Sequence, residues 1–231
     1  MAIKLTTTRE AAQSNGIKML VYGGAGSGKT TLASTTGGKT LIVSAESGLM
    51  SLRNHDIDAI EVSTIADVFE AYQYVQSGDG LEYEWICLDS LSEIAEVCLA
   101  DEKKNTQDPR AAYGETAEKM MRLIKAFRDL PQRNIYMSAK MSREKDESTG
   151  AFLYGAMMPG RQLGPQLPYL FDLVCAMRCE TNSEGESVRS LQTFKDLQYD
   201  CKDRSGVLDS FESPNLSTIR SKINQPTKGS K

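Results

Sequence analysis

The sequence predicts an α/β fold: a mostly parallel, twisted sheet flanked by helices, with antiparallel strands added at its C-terminal edge. Three observations carry that expectation. Short continuous apolar runs bounded by turn residues alternate with stretches of helical period through much of the chain, as in strands buried on both faces and joined by crossover helices. A glycine-rich run, Gly23-Gly24-Ala25-Gly26-Ser27-Gly28, lies between an apolar run and a segment suited to a helix. The end of the chain reads strand, turn, strand, the local signature of antiparallel pairing.

Taken in order, residues 1–16 form a polar N-terminal extension that closes on the turn signal Asn15-Gly16. Residues 17–223 read as one domain, and 224–231 as a flexible tail. Ile17–Tyr22 is a buried strand leading into the glycine-rich loop and a helix. Thr40–Val43 is a second strand, stopping at Ser44-Ala45-Glu46, and Ile60–Val62 is a short third. Thr64 caps a helix over Ile65–Gln76. Trp85–Asp89 is a strand ending in an acid, followed by a helix over Leu91–Ala100. Residues 101–114, DEKKNTQDPRAAYG, read as a polar loop. Met120, Leu123, Ile124, Phe127 and Leu130 mark one face of a helix over Glu115–Leu130, which Pro131 ends. Asn134–Ser138 is the next strand. The polar, glycine-containing stretch 142–160 reads as a long connection, the kind that is functional or mobile inside a compact domain. Leu170–Arg178 and Val188–Phe194 are strands around the turn Asn182–Gly185.

The 231 residues are enough to bury a core without staples. With 40% hydrophobic and 25% charged residues, wholesale disorder, collagen-like and coiled-coil classes are excluded. No run approaches the roughly 18 apolar residues of a membrane-spanning helix. The start, MAIKLTTTREAAQ, lacks a signal-peptide core. A cytoplasmic protein with no membrane partner is expected. Lys and Arg number 27 against 31 Asp and Glu, a net charge of −4. That argues against a protein coated in basic surface but allows one local basic loop per subunit of an assembly. The five cysteines, Cys87, Cys98, Cys175, Cys179 and Cys201, are odd in number, lack a C-x-x-C pair, and share the chain with one histidine, His55. Reduced thiols are expected, and neither a zinc site nor Ser-His-Asp chemistry is.

Gly23, Gly28, Lys29 and Thr30 fit G-x-x-x-x-G-K-[ST] in the strand–loop–helix context that the motif requires. The physics is direct: small residues let successive backbone N–H groups wrap phosphate oxygens. Gly23, Gly24, Ala25, Gly26, Ser27, Gly28, Lys29, Thr30 and Thr31 are thus the candidate nucleotide-binding residues. Lys29 reaches the β/γ-phosphates, and the Thr30 hydroxyl completes a Mg²⁺ shell. Asp89, at the end of an apolar strand, is the second candidate Mg²⁺ residue. Hydrolysis also needs a group to activate water. Glu46, just past the second strand, is the first candidate, and Glu93, on the helix after Asp89, is the alternative.

The succession of the phosphate loop, LIVSAES, WICLDSLSE and NIYMSAK resembles the RecA-like ATPases. DPRAAYGE, PGRQLGPQLPYLFDLV and YDCKDRSG resemble a phage-encoded RecA-like group of AAA type that includes short single-strand annealing recombinases. The resemblance spans roughly Ile17 to Ile223 and implies a RecA-like P-loop core, ATP and Mg²⁺ as ligands, and Glu46 as the acid that activates water. Where bacterial RecA ends its fourth core strand in a γ-phosphate-sensing glutamine, this chain has Ser138-Ala139-Lys140, which makes Lys140 a candidate phosphate sensor. Lys202-Asp203-Arg204 resembles the K-x-R segment that reaches a neighbour's nucleotide in RecA-like rings, implying trans roles for Lys202 and Arg204 in a ring or filament. By the same resemblance, single-stranded DNA would be contacted by 101–114 and 142–160, the latter carrying Arg143, Lys145, Phe152 and Tyr154. A phage single-strand-binding protein is a further expected partner. The function implied is ATP hydrolysis with single-stranded DNA in recombination or annealing. The alternatives are an ATPase that loads or remodels a replication protein such as a helicase, a small-molecule kinase, and a nucleotide-dependent DNA-binding module without significant hydrolysis.

Overall fold

The computed structural model describes residues 5–8, 10, 15–46 and 48–225. Most of the expected extension, and residues 226–231 of the expected tail, lie outside the described residues. The strands in chain order are β1 Lys18–Gly23, β2 Thr40–Ser44, β3 Asp58–Glu61, β4 Trp85–Asp89, β5 Asn134–Lys145, β6 Phe152–Ala156, β7 Leu173–Thr181, β8 Ser187–Gln192, β9 Lys202–Asp203 and β10 Phe211–Glu212. The helices are α1 Lys29–Leu32, α2 Ile65–Tyr74, α3 Leu91–Asn105, α4 Pro109–Arg128, α5 Leu167–Leu170 and α6 Leu216–Asn224. None is long and apolar enough, among the described residues, to cross a membrane.

The sheet runs β10-β8-β7-β1-β5-β4-β2-β3. Its middle, from β7 to β3, is parallel. β8 lies antiparallel to β7, and β10 antiparallel to β8. β9 pairs antiparallel with the first residues of β7, filling the edge below β8. Every residue of β1, β2 and β4 is buried, because their apolar runs are covered from both sides. Alternation divides the side chains between two faces. Leu20, Tyr22, Leu41, Val43, Ile86 and Leu88 face α2, α3 and α4, where Val68, Ile94 and Phe127 meet them. Met19, Val21, Ile42, Trp85 and Cys87 face the other layer, where Leu32, Leu216 and Ile219 close the core.

Local signals explain the helix boundaries. The Thr64 hydroxyl accepts from the Asp67 N–H, and the Asp67 carboxylate accepts from the Thr64 N–H, a reciprocal cap worth about 1 kcal/mol. The expected loop over 101–114 is corrected: α3 continues to Asn105, and α4 begins at Pro109. Asp108 caps α4 by accepting from the Arg110 N–H at 2.9 Å, with Pro109 in the first helical position. Glu102, although charged, is buried and paired with Lys119 across the two helices, and Cys98, Ala112 and Thr116 are buried with it. Cross-helix contacts thus hold a stretch whose composition reads as loop.

The expected connection over 142–160 is corrected as well. β5 leaves the main sheet after Lys140 and pairs antiparallel with β6, from Met141 opposite Ala156 to Lys145 opposite Phe152. Between these strands 146–151 turn, closed by the Asp146 N–H to the Ala151 carbonyl at 2.9 Å and the Gly150 N–H to the Asp146 carbonyl at 2.7 Å, and 157–160 remain irregular. The strand expected from Leu170 begins instead at Leu173, because Leu167–Leu170 form a helical turn around Pro168.

Candidate functional site: a phosphate-loop cleft

The carboxyl ends of β1, β2 and β4 open on one edge of the sheet, where ligands bind in open α/β folds. β1 delivers Gly23 into the loop. A Cβ at Gly23 would stand 2.8 Å from Ser27 Oγ and 2.9 Å from Met177 Cβ, so glycine lets the loop press against β7. Gly28, at φ 103°, turns the chain into α1 through a conformation that side chains disfavour. The Tyr136 hydroxyl on β5 donates to the Lys29 carbonyl at 2.7 Å and fixes the start of that helix. Lys29 Nζ lies across the loop, donating to the Gly23 and Gly24 carbonyls at 2.9 Å each. Burial holds its pKa below the usual lysine range, opposed by the charges of Glu46 and Asp89.

Thr30 and Asp89 meet directly: Thr30 Oγ1 donates to Asp89 Oδ2 at 2.6 Å. The other carboxylate oxygen accepts from the Ser138 hydroxyl on β5. Asp89 is 1% exposed, so these donors do the solvating that water does elsewhere. Glu46 follows β2 by two residues. The Ser44 hydroxyl donates to its carbonyl at 2.6 Å, and the Ser90 hydroxyl donates to Glu46 Oε1 at 2.5 Å. Glu46, Lys29, Thr30, Lys140 and Arg189 share one cavity of about 650 Å³ floored by the phosphate loop; Thr31 is also at its wall.

The site chemistry suits a magnesium nucleotide. Ser27 Oγ is buried within the loop with no hydrogen-bond partner among the described residues, a polar atom in want of an oxyanion or water. The adjacent Thr30 hydroxyl and Asp89 carboxylate form an oxygen-only donor pair, the kind Mg²⁺ takes from proteins before phosphates and waters complete its shell.

The remaining candidates are placed differently. Glu93 pairs with Lys140 at 2.6 Å, and Glu96 approaches the same amine at 3.4 Å. The hydrogen bond to Glu93 is the main reason the Lys140 pKa is raised. Lys202 and Arg204 are not in the cleft. Lys202 donates to the Pro168 carbonyl, and burial lowers its pKa; Arg204 pairs with Asp172 at 3.3 Å. Both lie at the start of β7, the end of the sheet away from the phosphate loop.

Sequence reasoning missed Ser90, Ser138, Tyr136 and Arg189. Ser138 was accessible in principle, because parallel register puts it one strand over from Asp89. Arg189 had no signal: its position depends on how β8 registers against β7, with Arg189 opposite Cys179. No curated protein matches the chain. A family model described as an AAA domain matches residues 15–205, from just before β1 through β9, and so includes the phosphate loop, Glu46, Asp89 and Lys140. With that match over most of its length, on a mostly parallel α/β sheet whose phosphate loop is intact, the chain belongs to the AAA domain family and is a P-loop AAA-type ATPase-like domain.

Proposed function

We propose that this domain hydrolyses ATP in a Mg²⁺-dependent reaction, in the manner of RecA-like ATPases, and couples hydrolysis to single-stranded DNA in recombination or annealing. The observation that carries the catalytic part is the convergence on one cavity of Lys29, Thr30 and Glu46, with Asp89 hydrogen-bonded behind Thr30 and Ser90 holding Glu46. The loop N–H groups and Lys29 bind the β/γ-phosphates. Thr30 and Asp89 hold Mg²⁺, which when bound neutralises phosphate charge. Glu46 accepts the proton of the attacking water, oriented by the hydroxyl of Ser90. The pairing of Glu93 with Lys140 favours Glu46 over Glu93 for this role. The sheet order supports the RecA-like reading: β5 separates the phosphate-loop strand from the Asp89 strand, and Glu46 enters from β2 beyond it.

The DNA part rests on the β5–β6 hairpin. Cross-strand partners share a face, so Arg143 with Tyr154 and Lys145 with Phe152 lie on one side, and Glu144 with Leu153 on the other. The Arg143 guanidinium lies 3.7 Å over the Phe152 ring. Tyr154 stacks on Tyr199 at 4.7 Å, and Arg178 lies 4.2 Å over Tyr199. Cations beside aromatic rings are what single-stranded nucleic acid grooves use, phosphate to the one and base to the other. Lys202 and Arg204 act on the nucleotide of the next subunit in a ring or filament.

Steady-state ATPase measurements with and without single-stranded DNA test this reading, with Lys29→Ala as the loss-of-site variant. Wild-type turnover is expected to depend on Mg²⁺ and rise with DNA, and Lys29→Ala to lose it while melting normally. Wild-type turnover in Lys29→Ala would remove the site assignment. Stimulation by a replication helicase and not by DNA would move the function to loading or remodelling.

A further inference from the structure

We propose that Arg189 binds nucleotide within its own subunit, its guanidinium holding the non-reacting phosphates of a nucleoside di- or triphosphate on the flank of the phosphate loop opposite Glu46. This rests on reading the cleft as a nucleotide site and adds a residue that the motif does not contain. Arg189 comes from β8, the second strand beyond β1 on the β7 side, whereas Glu46 and Asp89 come from β2 and β4 on the other side. An exposed arginine on a two-residue repeat is free to extend into water. This one lies along the loop: Cδ and Nε stand 3.3 and 3.4 Å from where a Cβ of Gly28 would be. Gly28 therefore serves two ends, its positive φ and the space that the arginine stem occupies.

The guanidinium is also uncommitted. Among the described residues Arg189 takes part in no ion pair, whereas Arg178, on the adjoining strand, is bound to Glu180 at 3.0 Å and Gln192 at 2.6 Å. Arg189 lines the same cavity as Lys29 and Glu46. Ser27 Oγ, buried without a hydrogen-bond partner among the described residues, belongs to the same loop. A cation beside a loop of backbone N–H groups recognises a polyanion, and its planar fork suits phosphate oxygens. The flank decides which phosphates. The γ-phosphate must face Glu46 for water to attack it, so a cation on the β8 flank meets the part of the nucleotide that ADP and ATP share. Such a contact is equal in ground and transition states, and affects binding rather than turnover.

Calorimetric titration of the full chain with ADP and with the non-hydrolysable analogue adenylyl imidodiphosphate tests this. Arg189→Ala is expected to weaken both by a similar factor of about ten or more, the loss of one charge-assisted hydrogen bond. Turnover at saturating ATP should stay within about twofold of wild type. Arg189→Lys, which keeps stem and charge without the fork, should recover part of the affinity. Unchanged affinity for both nucleotides overturns the proposal. So does a loss confined to turnover with ADP affinity intact, which would put the cation on the reacting phosphate. So does Arg189→Lys binding no better than Arg189→Ala when both melt like wild type. Lys29→Ala separates the two levels of failure. If it binds ADP as wild type does, the nucleotide reading falls and takes this inference with it; if it loses ADP while Arg189→Ala does not, this inference alone falls.

Discussion

Asp89 and Glu46 both carry a carboxylate at the sheet edge, but their surroundings fit them for different work. Asp89 is sealed in, with Thr30 and Ser138 as donors, and suits a fixed electrostatic role. Glu46 is only half-buried, and Ser90 engages one of its oxygens, which leaves the other open to a water in the cavity. Glu46→Gln keeps the acceptor for Ser90 and removes the basic oxygen. It should bind ATP normally and hydrolyse it at least about a hundredfold more slowly, as for loss of a general base. Single-turnover hydrolysis checks this; a normal rate there, with a loss in Glu93→Gln, would transfer the role to Glu93. A second residue-scale prediction concerns Lys18, buried at the foot of β1 with its amine donating to the Arg133 carbonyl at 2.7 Å and the Leu130 carbonyl at 3.4 Å. Burial lowers its pKa from 10.5 to about 8, against the pull of Asp172 and Asp129. Between those values the unfolded chain holds the proton and the folded one releases it, so stability rises with pH across about 8 to 10.5. The full rise is on the order of 3 kcal/mol. Urea midpoints of Lys18→Met should show a flatter pH response than wild type over that window. Parallel curves would mean that the folded lysine keeps an ordinary pKa.

At the scale of elements, legibility followed the source of the stabilisation. β4 was readable to the residue because Trp85–Asp89 is a wholly buried apolar run, and α2 because Thr64 announces its start. The helical stretch over 101–105 was not, because Glu102 is held by Lys119, a partner that only the folded helix pair supplies. The hairpin over 141–156 was missed for a related reason. Its first strand beyond Met141 is polar and charged, the apolar Phe152-Leu153-Tyr154 lie only in its second, and pairing arises from β5 running past the main sheet. That same pairing separates Glu144 from Arg143 and Lys145, since alternation sends the acid to the opposite face. If the cationic face contacts single-stranded DNA, replacing Arg143 and Lys145 together by alanine should weaken binding and lower the magnitude of the salt slope by about 1.4, at about 0.7 per phosphate contact. Fluorescence anisotropy of a labelled oligonucleotide across a salt series measures it. An unchanged slope would take the contact away from this hairpin. Both side chains are exposed, so melting should move little.

At the scale of the molecule, the geometry limits where Lys202 and Arg204 can act. The Arg204 N–H donates to the Asp172 carbonyl, and the Asp172 N–H to the Lys18 carbonyl, so Arg204 is level with the start of β1. Gly23 lies five residues further along, about 16 Å at ~3.3 Å per residue, beyond the reach of an arginine anchored at that level. A phosphate role for Arg204 therefore requires a second subunit. Its pair with Asp172, 54% and 44% exposed, is a surface contact of the class worth about 0–1 kcal/mol, which an interface can displace at little cost. Arg204→Ala and Lys202→Ala should consequently bind ADP as wild type does and lose ATPase activity. A cation inserted from a neighbour steadies charge that develops in the transition state, so its loss falls on turnover. The defect should persist at high protein concentration if the lost group is catalytic, and fade there if only subunit affinity is reduced. Mixing decides between the residue acting in trans and acting anywhere else. A Glu46→Gln subunit retains its cations, and an Arg204→Ala subunit retains an intact Lys29, Thr30, Asp89 and Glu46. Each supplies what the other lacks across one interface. Mixed in varying ratio, two inactive preparations should regain part of the wild-type rate, greatest near equal proportions. Co-assembly without any recovery, established by pull-down of differently tagged subunits, would end the trans role, as would full activity of both single cation variants.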